Sequence, residues 1–262
     1  MDFASLITSL HPWILFLLIL AVGISVAEFG SWLSRKVLRK EPKEGPVGSL
    51  VGSMLALLAF MLGFTFSITS SRFSSRKEIV IEEAKAISTC YLRCSLIPEK
   101  QRKEIRGFLR EYTDLLVGIK DPAAINETVS RLEVLNLRIW DQAATLAGEN
   151  MDSELRSLYI ESVNHVLDIF YKRKTVSLVY RIQPAIWTTL LSLYILSMFL
   201  VGYEISDHKR RRILNTPIMT TAFALIVTLI ADMDSAAYSR NFKVNRQPLI
   251  DVQKMMQEKG LN

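Results

Sequence analysis

Glu28, Asp232 and Asp234 are carboxylates set within or at the ends of long apolar stretches of a 262-residue chain. An ionisable group at membrane depth is costly, and it commonly lines a water-filled path or pairs with a cation. For these three, a role as intramembrane acids and a simpler role as interface markers both stay open. Little else in the sequence offers chemistry. His11 and His208 lie near the ends of apolar stretches and His165 lies in a charged region. No HExxH, GxSxG or glycine-rich phosphate loop is present. Acids and bases of the middle region alternate at helical spacing, as in Glu99 with Lys103 and Glu127 with Arg131, which is the pattern of a solvated face. Cys90 and Cys94 share one helix face, but that spacing supplies disulfide geometry poorly. A zinc site would need ligands beyond His165. Both cysteines therefore read as packing residues. The sequence points to no enzyme, no cofactor and no metal site.

The elements that carry these residues are apolar and long. Half of the chain is hydrophobic, and about 20 apolar residues suffice to span a bilayer as a helix. Trp13 to Phe29, Val47 to Ser70, Pro184 to Tyr203 and Pro217 to Met233 meet or approach that length. Backbone groups in lipid must pair internally, so each is expected to be a helix. The competing reading is a buried core helix, and it is strongest for the last stretch, which is short and ends in Asp232 and Asp234. No Lys or Arg precedes the first stretch, and Glu28 stands where a signal peptide would have its small cleavage residues, so it is kept as a span. Trp13 and Trp32 bracket it as interfacial aromatics do. The net charge of +6 then suits loops near anionic headgroups, and no basic run interleaved with aromatics suggests nucleic acid.

The second span carries two rows. Gly48, Gly52, Ala56, Ala59, Gly63 and Ser67 fall on one helical stripe, and small residues at this spacing let two helix backbones approach closely in a membrane. Beside them run Phe60, Phe64 and Ile68. The small row packs either on another helix of the same subunit or between subunits. The Phe row faces lipid, core or a pore.

From Arg72 the chain turns polar and stays helical. Val80, Ala84, Ile87 and Tyr91 share a face of the continuing first helix, which is expected to reach Ile97. Pro98 starts a second helix with Ile105, Phe108, Leu109, Tyr112, Leu115, Leu116 and Ile119 inward. Asp121 and Pro122 start a third, with Ile125, Val129, Leu132, Leu135, Ile139 and Leu146 inward, closed by Gly148. Asp152 or Ser153 starts a fourth, with Leu155, Leu158, Val163, Val166, Leu167 and Phe170 inward, running past Lys172, Arg173 and Lys174 to Arg181. Short turns and one apolar face each predict an antiparallel four-helix bundle. Thr216 and Pro217 read as the start of the fourth span. Gln247 to Met256 could form a final short helix in a polar tail that includes Arg240, Lys243 and Arg246. The expected class is all-α, a multi-pass membrane protein with four transmembrane helices and a soluble four-helix bundle between the second and third. The segments are 1–71 and 183–234 for the membrane part, 72–182 for the bundle and 235–262 for the tail.

This order of parts resembles the bestrophin-like domain family of bacterial membrane proteins. The likeness is carried by GSLVGSMLALLAFMLGFTFS, SRFSSRKEIVIEEAKAISTCYLR, the Leu-Ile-Pro-Glu turn, RGFLREYTDLL, LIADMD and RQPLIDVQ. The family name points in turn to bestrophins, which are oligomeric anion channels. In bestrophins the second span supplies a narrow neck of large apolar side chains one turn apart, and Phe60, Phe64 and Ile68 are similar in character and spacing. The resemblance thus implies a homo-oligomeric, anion-selective pore in a lipid bilayer, with Gly48, Gly52, Ala56, Gly63 and Ser67 at helix contacts and inorganic ions as partners. No acidic cluster matches the bestrophin calcium clasp, so calcium gating does not carry over. The rival is a non-conducting sensor or scaffold whose bundle binds a partner.

Topology rests on charge. Arg35, Lys36, Arg39, Lys40, Lys43 and Lys209 to Arg212 crowd the short linkers, and short basic linkers usually face the cytoplasm. That places the bundle on the non-cytoplasmic side of the inner (plasma) membrane. Arg72, Arg76, Lys77, Lys172, Arg173, Lys174 and Arg181 argue the other way, as does the cytosolic domain of bestrophins.

Overall fold

The computed structural model describes residues 10–37, 47–119, 124–176, 181–205, 209–235 and 244–259. Arg39, Lys40, Lys43, Gly45, Pro46, Asp121, Pro122, His208, Arg240 and Lys243 lie outside them, as do the side chains of Lys209 to Arg212. The described residues are helical with no strand. In chain order the α-helices are α1 (Pro12–Val37), α2 (Val47–Arg93), α3 (Glu99–Gly118), α4 (Ile125–Thr145), α5 (Ser153–Lys174), α6 (Pro184–Glu204), α7 (Lys209–Asp234) and α8 (Gln247–Glu258). Four of them, α1, α2, α6 and α7, are long and apolar enough to cross a membrane.

The chain forms two compact units, residues 1–73 with 181–242 and residues 74–180 with 243–262. The first unit packs Leu15 and Ile19 of α1, Leu58 and Leu62 of α2, Trp187, Leu190 and Met198 of α6, and Ala224, Val227 and Ile230 of α7 into one core. Its tightest contact joins α1 and α6. A Cβ at Gly202 would run into the Ala27 carbonyl, and one at Gly30 into the Phe199 carbonyl. One at Gly23 would strike the Tyr194 hydroxyl, which donates to the Ile19 carbonyl at 3.0 Å. Small residues here let backbone meet backbone.

The second unit buries the rest of α2 with α3, α4, α5 and α8. Val80, Ala84, Ile87 and Tyr91 are buried, as their spacing predicts, and so are Ile105, Leu109, Tyr112 and Leu116. Asp152 caps α5 by accepting the Glu154 and Leu155 amides. The basic run that ends α5 is fully engaged: Lys172 pairs with Glu82, Arg173 with Glu83 and Lys174 with Glu133. Leu249, Val252 and Met256 of α8 enter the same core. Arg246 donates to the carbonyls of Val117 and Ile119, covering the open carbonyls that every helix C-terminus leaves.

Several sequence expectations change. The fourth span does not start at Pro217: α7 begins at Lys209 and runs through it. A proline inside a helix removes the backbone bond to the carbonyl four residues earlier, here that of Ile213, and α7 carries Pro217 without a break. The α-helical part of α2 stops at Arg93, and a 3-10 turn over Cys94–Leu96 leads to an extended Ile97. The α-helical part of α5 ends at Lys174 with a π turn over 175–176, and Arg181 lies outside any helix, in the lead into α6. Leu155 and Leu158, expected inward, are exposed in the first two turns of α5.

Candidate functional site

The first half of α2 buries a single row. Val51, Leu58, Leu62, Thr65 and Thr69 face the core of the first unit, and both threonines return their hydroxyls to carbonyls four residues back at 2.7 and 2.8 Å. At 3.6 residues per turn, Phe60 and Phe64 fall on the far side of the helix from this row. They are 68% and 55% exposed. Ile68, one turn on, is half-buried. Gly52, Ala56, Ala59, Gly63 and Ser67 are also exposed, and a Cβ at Gly52 or Gly63 would meet nothing within 4 Å. Gly48 differs, because its Cβ would come 2.8 Å from Oε1 of Glu204. The rows therefore stand apart from the subunit's own core, and the small row makes no close helix contact at Gly52 or Gly63 among the described residues.

The three acids separate. Glu28 is exposed on α1. Asp232 and Asp234 are buried at the end of α7. The Asp234 carboxylate accepts the Ile182 amide at 3.1 Å and lies 3.9 Å from the Arg72 guanidinium. It thus ties the end of α7 to the lead into α6 and to α2. Sequence reasoning put Arg72 at the start of the polar region and Asp234 at the end of the fourth span without joining them. It also missed Gly23, Ala27, Gly30 and Gly202, although the first three repeat small residues at three- and four-residue spacing.

In the second unit the polar interior is held by pairs. The Glu83 carboxylate is almost wholly buried; it faces Arg173 and accepts the Tyr112 hydroxyl at 3.2 Å. Burial raises Tyr112 well above the ordinary phenol value, and the Glu83 charge adds to it. Cys90 and Cys94 are free and buried. Cys90 lies in the charged half of α2 and Cys94 in the 3-10 turn after it, both outside the apolar span, and burial pushes their thiols up to about 12 and about 11. Neither is poised as a nucleophile, which needs the thiolate. Among the described residues no group of His, Cys, Asp and Glu could hold a metal ion.

No curated protein matches the sequence. The fold has close counterparts among solved structures. A bacterial bestrophin homologue from Klebsiella pneumoniae, carrying a single substitution, superposes with a TM-score of 0.69 at 12% identity, covering 94% of this chain and 99% of that one. A second variant of that homologue gives 0.70 at 12% identity, with 94% and 98% covered. A crystal structure described as a membrane protein gives 0.71 at 11% identity, with 92% and 97% covered. At such identities the likeness is one of fold. The model of the Bestrophin-like domain family matches residues 15–249, nearly the whole chain, so this protein is a multi-pass membrane protein of the Bestrophin-like family.

Proposed function

We propose that the protein is a homo-oligomeric ion channel of the plasma membrane, anion-selective as its resemblance to bestrophins implies, and not an enzyme. One observation carries the reading: Phe60 and Phe64 stand uncovered on the side of α2 opposite its buried row, next to a small-residue row with open space at Gly52 and Gly63. Subunits meeting along the small row would turn the Phe row towards a common axis. Phe60, Phe64 and Ile68 would then stack as apolar rings about 6 Å apart, a poorly hydrated neck that opposes ion passage. Inorganic ions and lipid are the partners of this reading, and nucleic acid is not. Residues 72–182 form its four-helix bundle, inserted between the second and third spans. Single-channel recording in planar bilayers tests it. The Phe60→Ala, Phe64→Ala protein should conduct more than wild type, because smaller rings widen and wet the neck. If both folded proteins pass no current, the channel reading fails.

The non-conducting sensor or scaffold is favoured by a different feature, the exposed Val134, Leu137 and Trp140 on α4. Silence in both recordings would put it ahead.

The bundle belongs on the non-cytoplasmic side in this reading. Pairing of Lys172, Arg173 and Lys174 with acids of their own unit reduces the weight of the positive charge that argued against it. Asn150 is exposed, and both native thiols are buried. With Asn150→Cys, an impermeant thiol reagent should label intact cells. Labelling only after lysis would reverse the orientation.

A further inference from the structure

Three arginines occupy one face of α3 at successive turns: Arg102, Arg106 and Arg110. Each has a buried Nε without a hydrogen-bond acceptor among the described residues. Arg110 is otherwise engaged, donating to the Tyr91 hydroxyl at 2.8 Å and to the Met256 carbonyl at 3.5 Å. It anchors α8, because the Tyr91 hydroxyl itself donates to Met256 at 3.2 Å. Arg106 lies 5.0 Å from the Tyr91 ring centroid, which orients its guanidinium without neutralising it. Arg102 makes no side-chain hydrogen bond or ion pair among the described residues. Glu99, the acid that senses the Arg102 charge, is itself bonded to Lys103 at 2.7 Å. Of the other charges near this end of α3, Lys100 and Glu104 are exposed, and the Glu149 carboxylate accepts from the Gln101 side-chain amide at 2.7 Å. Cys94, which senses both guanidiniums, is a neutral thiol with its pKa pushed up to about 11 by burial.

Within the chain this arrangement is unfavourable on several counts. Like charges four residues apart on a helix repel. Cations in the first turns oppose the helix dipole. A buried donor left unpaired costs a desolvation penalty. An anion seated between Arg102 and Arg106 offsets the first two. Guanidinium forks match the oxygens of a phosphate group in pairs, and two forks one turn apart can share one such group or take two that are linked.

We propose that Arg102 and Arg106 form a binding site for a phosphate-bearing anion on the first turns of α3. The anion is either a free phosphate compound or a lipid headgroup, and the test separates them. Full-length protein in neutral phosphatidylcholine nanodiscs is titrated with inorganic phosphate and pyrophosphate at constant ionic strength, by calorimetry and melting. A parallel set of nanodiscs contains phosphatidic acid, read by melting alone. Saturable heat with a raised melting temperature in the first arm identifies a solute. A rise confined to the second identifies lipid. In whichever arm responds, Arg102→Gln with Arg106→Gln should weaken the response about tenfold or more. Arg102→Gln alone is the control for folding: it should keep the anion-free melting temperature and still lose most of the response. No response in either arm, or an equal response in Arg102→Gln, overturns the proposal.

Discussion

Helix α2 is one element with two different halves. Its second half, within the second unit, buries Ile79, Val80, Glu83, Ala84, Ile87, Cys90 and Tyr91, and its polar atoms there find partners inside the unit. Its first half buries one row and leaves the small and aromatic rows uncovered. A buried charge beside a matched cation explains itself by stability. An uncovered row of Phe and Gly in an apolar helix does not, since the subunit gains no packing from it. The contrast separates what builds the subunit from what remains for lipid, ions or further copies.

The largest effect should come from the closed half. Replacing Glu83 with Gln leaves Arg173 without its carboxylate in a site where the two side chains are 1% and 21% exposed. Removing one partner of a buried pair costs about 3 kcal/mol. The adjacent pair, Glu82 with Lys172, is 43% and 50% exposed, so Glu82→Gln should cost about 0–1 kcal/mol. Thermal unfolding of both variants measures the difference. Equal losses would mean that the second half of α2 is no more closed than a surface.

A second contrast lies between two rows of small residues in the first unit. At Gly202 any side chain meets the Ala27 backbone, and backbone cannot move aside as a side-chain tip can. Gly202→Leu should therefore destabilise the subunit by about 1–3 kcal/mol or more. Gly52→Ile with Gly63→Ile enters open space and should leave subunit melting within about 0.5 kcal/mol of wild type. What it should change is association, since bulk on the small row keeps helices of neighbouring copies apart. Mass photometry in mild detergent should show lower-mass particles. A wild type that is already monomeric there and in nanodiscs would remove the oligomer reading.

These rows also mark how far the sequence could be read. Periodicity located Val80, Ala84, Ile87, Tyr91, Leu109 and Leu116, because a 3.6-residue repeat of apolar side chains is a local signal. It overran at Leu155 and Leu158, which continue the repeat before α5 reaches the core. The identity of a neighbour is not local. Gly23, Ala27 and Gly30 read like Gly52, Ala56 and Gly63, yet Gly23 and Gly30 face a helix of the same chain, while Gly52 and Gly63 face open space. The pairing of Arg72 with Asp234, and the seat of α8 under Arg246 and Arg110, join segments far apart in sequence. Pro217 misled because proline is common at a helix start, whereas α7 carries it in its interior.

The smallest effect tests the closed half through its thiols. Burial pushes Cys90 from an ordinary 9.0 up to about 12 and Cys94 up to about 11. A folded-state pKa above the unfolded value means that the folded protein holds the proton more tightly. Stability is then whole below pH 9.0 and is lost as pH rises from there towards 11 and 12. Each thiol should contribute a loss of about 1 kcal/mol over the first pH unit of that window. Melting followed from neutral to alkaline pH should fall there, and Cys90→Ala should flatten the fall while lowering the neutral value by lost packing. The native protein should also resist a disulfide reagent at neutral pH and react fully once unfolded. Rapid native labelling would show water reaching this face of α2, and its two halves would then differ less than their burial implies.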